Sequence, residues 1–208
     1  MDDTERAAAG GRAYHHGDLR HVLIETAEQL LTERGVEGFS LRECARRAGV
    51  SPAAPAHHFG NVTGLLTAIA TLGFEGLCRA MEDAAAAGAT PTARLRGLGR
   101  GYIRYALEHP ARFRVMFGRF PLERGDPALA QAGQRAFGLL ATANEALPGR
   151  GGDASSLVLA WSAVHGFATL ALDGQMPFVD GQPDRAAAID RLADGMLSLI
   201  GRALGRDS

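Results

Sequence analysis

A chain of 208 residues with a formal net charge of −1 is long enough for one sizeable core, or for a small head domain and a larger helical body. The near-zero charge excludes a protein that holds nucleic acid by bulk charge alone, so any DNA binding must come from a local patch. Aromatic residues are few, and the hydrophobic periodicity is helical throughout. These features predict an all-α fold of about nine helices.

The two cysteines, Cys44 and Cys78, fall on the predicted buried faces of different helices, and the N-terminus does not resemble a signal peptide. We therefore expect a reduced, cytoplasmic protein with structural thiols; thiol sensing is the alternative. No apolar segment approaches the roughly 20 residues that span a bilayer, so no membrane partner is expected.

The N-terminal residues 1–13 are small, polar and glycine-bearing, and we expect a disordered arm there. A metal site at His15 and His16 is a poor interpretation, because adjacent histidines on a flexible arm lack further ligands. Asp18 is the predicted N-cap of the first helix, whose apolar stripe runs up to Gly35.

Residues 40–59 predict two short helices joined by a glycine-bearing turn. Ser40 is placed to cap the first of them. Gly49 supplies the left-handed backbone that the turn needs. The second helix is predicted over residues 52–59, and Pro55 should give it a tight, 3₁₀-like first turn. The pattern is that of a helix-turn-helix.

The remaining chain predicts a helical body. After Gly60, the apolar spacing indicates a fourth helix of about 25 residues, long enough to be a rigid connector. The further helices are expected from Thr90-Pro91 to before Pro110, and over residues 111–118, 127–147, 153–172 and 184–204, with a loop over residues 174–183. The run 97–101, Gly-Leu-Gly-Arg-Gly, imitates a phosphate loop. No strand precedes it and its spacing is helical, so close helix packing is the better interpretation.

Residues 18–66 resemble the DNA-binding domain of the TetR family of transcriptional repressors, with a leading amphipathic helix, the helix-turn-helix and a His-Phe that ends the recognition helix. The opening over residues 14–20 and the Ala-Ala-Pro over residues 53–55 further resemble one branch of that family. A Trp-x-x-Val-His-Gly signature is typical of the branch, and it is present over residues 161–166. The resemblance extends over nearly the whole chain.

This resemblance implies a helix-turn-helix DNA-binding domain over residues 14–60 and a ligand-binding and dimerisation domain over residues 61–208. Double-stranded DNA with a near-palindromic operator is one implied partner, and a small hydrophobic effector that releases a repressor is another. The two C-terminal helices would form the homodimer interface, because their apolar faces are wider than one small body needs. The large side chains of these faces are Leu157, Val164, Leu192, Met196 and Leu199. Neither a cofactor nor a metal is expected.

The expected DNA contacts lie at helix N-termini and on outward faces of the helix-turn-helix. They are Ser40, Arg42, Arg46, Ser51, Pro52, Ala53, His57, His58 and Thr63. Two positions depart from the family pattern, since Ala56 stands where Tyr is usual and Val62 where Lys is usual. Both usual residues touch phosphate. The alternative is therefore a TetR-like ligand-binding protein with weak or lost DNA binding.

The residues expected to border an effector pocket are aromatic, Met and His side chains of the body. They are Tyr102, Tyr105, Phe113, Met116, Phe117, Phe137, Trp161 and His165. A filled core is the alternative for the same set. An enzyme centred on His165 is a third hypothesis, but no local motif places a carboxylate or serine beside that histidine. We therefore predict no catalytic residue and no enzymatic activity.

Overall fold

A computed structural model describes residues 16–35, 38–148 and 153–204. Within these ranges the chain forms α-helices and one 3₁₀ turn and contains no strand, which confirms the all-α prediction. The helices are α1 (His16–Arg34), α2 (Leu41–Arg47), α3 (Ala54–Phe59), α4 (Val62–Ala85), α5 (Pro91–Glu108), α6 (Pro110–Phe117), α7 (Pro127–Glu145), α8 (Ala154–Leu172) and α9 (Arg185–Leu204). The expected arm, residues 1–13, and His15 lie outside the described residues.

The chain divides into two compact units, Met1–Gly60 and Asn61–Ser208. The first contains α1 to α3 and the second contains α4 to α9. The assignment of DNA binding to one unit, and of ligand binding and dimerisation to the other, stays a prediction at this stage.

The first unit is built on the buried stripe of α1, which includes Leu23, Ile24 and Leu30. The predicted N-cap Asp18 is wrong, because α1 begins at His16 and Asp18 therefore lies inside its first turn. Cys44 of α2 is fully buried, and its thiol donates to the backbone carbonyl of Leu23 over 3.4 Å. Burial raises the pKa of the Cys44 thiol to about 11, which keeps it protonated and unreactive.

The second unit depends on a close approach of α5 to α4. A Cβ atom on Gly97 would lie 2.5 Å from the carbonyl oxygen of Ala84 and 2.6 Å from the Cα of Ala85. Gly101 faces the carbonyl oxygen of Ala80 in the same way. The glycine run is therefore a helix contact inside a continuous α5, as expected, and not a phosphate loop.

The loop between α8 and α9 has more structure than the sequence analysis predicted. It contains a 3₁₀ turn, Pro177–Val179. Val179 and the neighbouring Met176 are buried in a small cluster with Ala171 of α8 and Ile189 of α9. Such a short apolar segment gives no readable periodicity, so its burial could not be predicted.

Two helices contain apolar segments long enough to span a bilayer, which the sequence analysis did not expect. By length and composition alone, α4 and α8 could each cross a membrane. In α4, 50% of the apolar window is buried inside the protein, as in a core helix, whereas in α8 the share is only 33%. The difference arises because α8 keeps large apolar side chains such as Val158 and Leu159 exposed.

The contact of α4 with α5 predicts that Gly97→Ala destabilises the protein. The new methyl group would overlap the α4 backbone, which cannot move aside as a flexible side chain can. We expect a loss of about 1–3 kcal/mol of unfolding free energy, measured by urea unfolding. Gly138→Ala in α7 is the matched control: nothing lies within 4 Å of its Cβ position, so alanine should add about 0.5–1 kcal/mol. Equal effects at both positions would contradict the close contact.

Candidate functional site

The first unit contains the expected helix-turn-helix. The Ser40 hydroxyl accepts the backbone N–H of Glu43 over 3.2 Å and so caps α2. Gly49 follows α2 with a φ of +68°, and the next N–H, of Val50, donates to the carbonyl of Ala45 over 3.0 Å. These contacts confirm both the predicted cap and the predicted left-handed turn.

The start of the second helix differs from the prediction. α3 begins at Ala54, two residues later than expected. Pro55 is then its second residue, where the missing N–H falls among donors that have no partner within the helix. The N–H of Ala54 donates to the carbonyl of Ser51 over 3.0 Å, an i to i−3 bond. This bond is the tight, 3₁₀-like turn that Pro55 predicted.

Most of the expected DNA contacts are accessible in the structure. Ser40, Arg42, Arg46, Ser51, Pro52, Ala53 and His57 are exposed, and His58 is half-buried. Ala56 is exposed too, so α3 presents a surface of small side chains to solvent. A helix with such a surface can approach another backbone closely.

Thr63 belongs to the second unit, in the first turn of α4. Asn61 caps that helix, since its side-chain oxygen accepts the N–H of Gly64 over 2.9 Å. Thr63 is half-buried, and its carbonyl accepts the hydroxyl of Thr67 over 2.8 Å. The backbone N–H groups of this first turn are suited to an anion.

Glu43 organises the positive charge of the helix-turn-helix, a role that the sequence analysis did not assign. Its carboxylate accepts two hydrogen bonds from Arg46, at 2.7 and 2.8 Å, and lies 3.4 Å from Arg47 and 3.6 Å from Arg34. The hydrogen bond from Arg46 is the main cause that lowers the pKa of Glu43 to about 2. Arg46 is therefore held by a carboxylate, with which any phosphate has to compete.

The body contains an apolar cavity of about 260 Å³, which we call the α4–α8 cavity. It is lined by Phe74, Leu77, Met81, Tyr102, Phe117, Gly133, Ala136, Phe137, Leu140 and Trp161. Phe137 and Trp161 are 48% and 40% exposed, so one wall of the cavity faces solvent. Their rings meet edge to face with centroids 6.1 Å apart.

A second cleft, of about 350 Å³, lies beside this cavity, and we call it the His165 cleft. It is lined by Phe113, Arg114, Phe117, Gly118, Phe120, His165, Thr169, Leu172 and Asp173. Phe117 lines both spaces. The cleft has an aromatic floor and a polar rim, whereas the α4–α8 cavity is lined almost wholly by apolar side chains.

A partly buried hydrogen bond joins residues of the two spaces. The hydroxyl of Tyr102 lies 2.8 Å from Nδ1 of His165. Burial raises the pKa of Tyr102. Burial also lowers the pKa of His165. Both side chains are therefore neutral at neutral pH.

The predicted pocket residues divide into two groups. Six of them line one or both spaces: Tyr102, Phe113, Phe117, Phe137, Trp161 and His165. Tyr105 and Met116 are buried and line neither. They fill the space over glycines of α4, since a Cβ atom on Gly76 would lie 2.7 Å from the Tyr105 hydroxyl and one on Gly73 would lie 2.5 Å from Met116 Sδ. Occupation of either space by an effector stays a prediction.

The last two helices expose an apolar surface, which we call the α8–α9 face. Its large side chains are Val158, Leu159, Leu170, Leu192 and Leu199, with exposed fractions from 38% to 62%. One residue predicted for this face is not on it, since Val164 is only 6% exposed. Leu157 is half-buried and packs against a core cluster that includes Leu95 and Leu204. The spacing had located the apolar stripes but had not separated the inner stripe from the outer one.

Two parts of the chain match known protein families. Residues 23–69 match the family described as bacterial regulatory proteins, tetR family. Residues 95–196 match the family described as tetracyclin repressor-like, C-terminal domain. The second match includes the Trp-x-x-Val-His-Gly stretch, but the assignment to a branch with that signature stays a prediction.

Similar proteins include transcriptional regulators and a protein of unknown function. An uncharacterised HTH-type transcriptional regulator of Mycobacterium tuberculosis is 27% identical over 179 residues, which cover 85% of this chain and 81% of that protein. The structure of a protein of unknown function from Rhodococcus sp. RHA1 is 32% identical, with a TM-score of 0.76 over 94% of this chain and 100% of the other. PfmR from Thermus thermophilus, a TetR family regulator, shares the fold, with 24% identity and a TM-score of 0.60 over 88% of this chain and 99% of its own. The chain therefore belongs to the TetR family and is a DNA-binding transcriptional regulator.

Proposed function

We propose that this regulator is a cytoplasmic homodimeric repressor that leaves a near-palindromic operator when a small hydrophobic effector enters its body. One observation carries the proposal: the same chain combines a helix-turn-helix with an apolar cavity of about 260 Å³ that has a wall facing solvent. Ligand sites are mostly apolar spaces of this kind. The volume of this cavity is slightly below the usual range for sites of drug-sized molecules.

The DNA side of the proposal uses the exposed surface of α2 and α3. Ala53 and Ala56 let α3 lie close to base edges in a major groove, and His57 can donate or accept a hydrogen bond there. Arg42 is exposed and has no ion pair among the described residues, so its charge is available to a phosphate. Arg46 reaches a phosphate only by giving up its hydrogen bonds to Glu43.

The α8–α9 face supports the homodimer. Its apolar side chains are flanked by Gly166 of α8 and Gly195 of α9, and nothing lies within 4 Å of a Cβ atom at either glycine. Two helices from each copy could therefore approach closely and bury Leu192 and Leu199 in a symmetric four-helix contact. Such a contact gives the regulator two recognition helices, as a near-palindromic operator requires.

The effector would act through α4. This helix begins at Val62, next to the expected DNA contact Thr63, and about three to four turns further along it contributes Phe74 and Leu77 to the cavity. A molecule that favours one position of these two side chains favours one position of α4. If the two recognition helices then depart from a spacing of about 34 Å, DNA and effector select different conformations of the dimer.

The alternative is a TetR-like protein that binds a ligand but holds DNA weakly. The motive for it is the pair of departures at Ala56 and Val62, where the Tyr and Lys usual in the family would each contact a phosphate. Loss of phosphate contacts lowers affinity for all sequences and flattens the dependence on salt. Loss of phosphate contacts leaves base readout in place. The repressor and the weakly DNA-binding protein therefore differ in affinity for DNA, which can be measured.

Selection from random duplexes should enrich inverted repeats with half-sites about one helical turn apart. Ala56→Tyr and Val62→Lys together should strengthen binding to selected and unrelated DNA alike, with a salt slope steeper by about one. Fluorescence anisotropy with the selected site measures both effects. A folded, dimeric protein that enriches no sequence at low salt would establish the ligand-binding alternative instead.

Glu43→Gln should also strengthen DNA binding, several-fold at low salt, because it frees Arg46 and removes a negative charge from the DNA-facing surface. The salt slope should become steeper by about one. Glu25→Gln is the control: it removes the same charge from α1, where the partner of Glu25 within the described part of the chain is His21, over 3.1 Å. Weaker binding by Glu43→Gln would mean that the carboxylate holds Arg46 in the orientation that phosphate needs.

Leu199→Glu should convert the dimer to monomers, since it would bury an unpaired charge at a cost on the order of several kcal/mol. Leu199 is 62% exposed in the single chain, so the monomer itself should stay folded. Light scattering and circular dichroism test the two parts. Gln131→Glu adds the same charge to an exposed position of α7 and should leave the dimer intact. A Leu199→Glu dimer of unchanged affinity would show that the α8–α9 face is not the interface.

A further inference from the structure

Tyr102 and His165 of the body form a hydrogen bond whose direction can be assigned. The hydroxyl of Tyr102 lies 2.8 Å from Nδ1 of His165. The Tyr102 side chain is buried, so its O–H needs an acceptor. The hydroxyl keeps its own hydrogen, and the described partner in reach of it is Nδ1 of His165. Nδ1 therefore accepts from Tyr102.

This direction fixes the tautomer of His165. A neutral imidazole whose Nδ1 accepts a hydrogen bond carries its proton on Nε2. Nε2 is at the far edge of the ring from Tyr102, and the half-buried ring lines the His165 cleft. The cleft therefore contains a hydrogen-bond donor in a fixed orientation.

The surroundings of this donor are aromatic. The ring centroid of His165 lies 5.5 Å from that of Phe113 and 4.9 Å from that of Phe117, and Phe120 also lines the cleft. A molecule in the cleft would contact three phenyl rings and one N–H group. Such a site favours a flat or compact apolar molecule with a single oriented polar atom.

The charges at the rim of the cleft are already balanced. Arg114 donates to the backbone carbonyl of Leu172 over 3.2 Å and to the carboxylate of Asp173 over 3.4 Å. Burial lowers the pKa of His165, so the imidazole adds no positive charge at neutral pH. An anionic molecule would find no unmatched cation in this cleft and would lose its hydration on entry.

We propose that the His165 cleft binds an uncharged, largely aromatic or aliphatic molecule that carries a carbonyl-type oxygen, and that this oxygen accepts the Nε2–H of His165. The inference rests on the proposed function, because it gives the chemical class of the effector. Tyr102 is a positioning residue, since it holds the donor in place and does not need to touch the molecule.

The tautomer is tested without any ligand. Long-range ¹H–¹⁵N correlation spectra of the ¹⁵N-labelled dimer report which ring nitrogen of each histidine carries the proton, and the signals lost in His165→Gln identify His165. We expect a protonated Nε2 in the wild type and a mixture of tautomers in Tyr102→Phe. A protonated Nδ1, or a doubly protonated ring at neutral pH, would overturn the proposal.

The ligand class is tested with matched probes: benzophenone and its hydrocarbon diphenylmethane, fluorenone and fluorene, and the anion diphenylacetate. At least one ketone should raise the melting temperature of the wild type and bind about fivefold tighter than its hydrocarbon, as loss of one hydrogen bond implies. In His165→Phe the ketone should lose this advantage while the hydrocarbon binds as before. His165→Gln, which keeps an N–H donor, should retain part of the advantage.

The remaining outcomes overturn the proposal. They are equal affinity for ketones and hydrocarbons, tighter binding of the anion, and no shift with any ketone. An operator-release assay with the same probes separates this failure from failure of the proposed function. Release by compounds without a carbonyl would leave the effector mechanism standing and remove the His165 assignment. Binding of a ketone through His165 without release of the operator would support the His165 assignment and contradict the effector mechanism.

Discussion

The body of this regulator depends on the contact between α4 and α5. Gly97 and Gly101 have no side chain where α5 meets the backbone of α4, and so the two helix backbones touch at Ala80 and Ala84. α5 also contacts α7, α8 and α9, so this one close approach determines where the other body helices lie. It therefore places Tyr102, which is on α5, against His165 on α8. The cavity, the cleft and the apolar outer face are all consequences of that arrangement.

The aromatic cluster of the body divides its side chains between a filled core and the walls of two spaces. Tyr105 and Met116 occupy the space left by glycines of α4 and behave as core residues. Phe117, in contrast, is half-buried and separates two unfilled spaces, so its ring can move without leaving a void in a closed core. Filled core and ligand pocket were alternatives for one set of residues. The structure divides that set between a filled core and the walls of two spaces, and ligand binding in either space stays a prediction. A sensor needs this combination, because a ligand must displace something while the scaffold around it stays fixed.

Local rules accounted for much of the fold: the helices, the cap at Ser40 and the left-handed turn at Gly49 follow from residue type and spacing alone. The sequence could not decide between equivalent local solutions, and it could not predict contacts between residues that are far apart in the chain. α8 is apolar on most of its circumference, so its spacing could not decide that Val164 faces inward. The carboxylate of Glu43 pairs with Arg34 of α1 as well as with α2, a contact that requires the folded unit. The two spaces beside Phe117 likewise exist only once α6 and α8 have packed.

The central claim is that effector and operator select different spacings of the two recognition helices. Spin labels at Gln29→Cys, an exposed position of α1, would report the distance between the two copies in a dimer, since the native Cys44 and Cys78 are buried. Double electron–electron resonance then gives the distance distribution for the free, operator-bound and ligand-bound protein. We expect one narrow distance with operator DNA, a different distance with a ligand that releases DNA, and both distances in the free dimer. The same distribution in the operator-bound and ligand-bound states would contradict it.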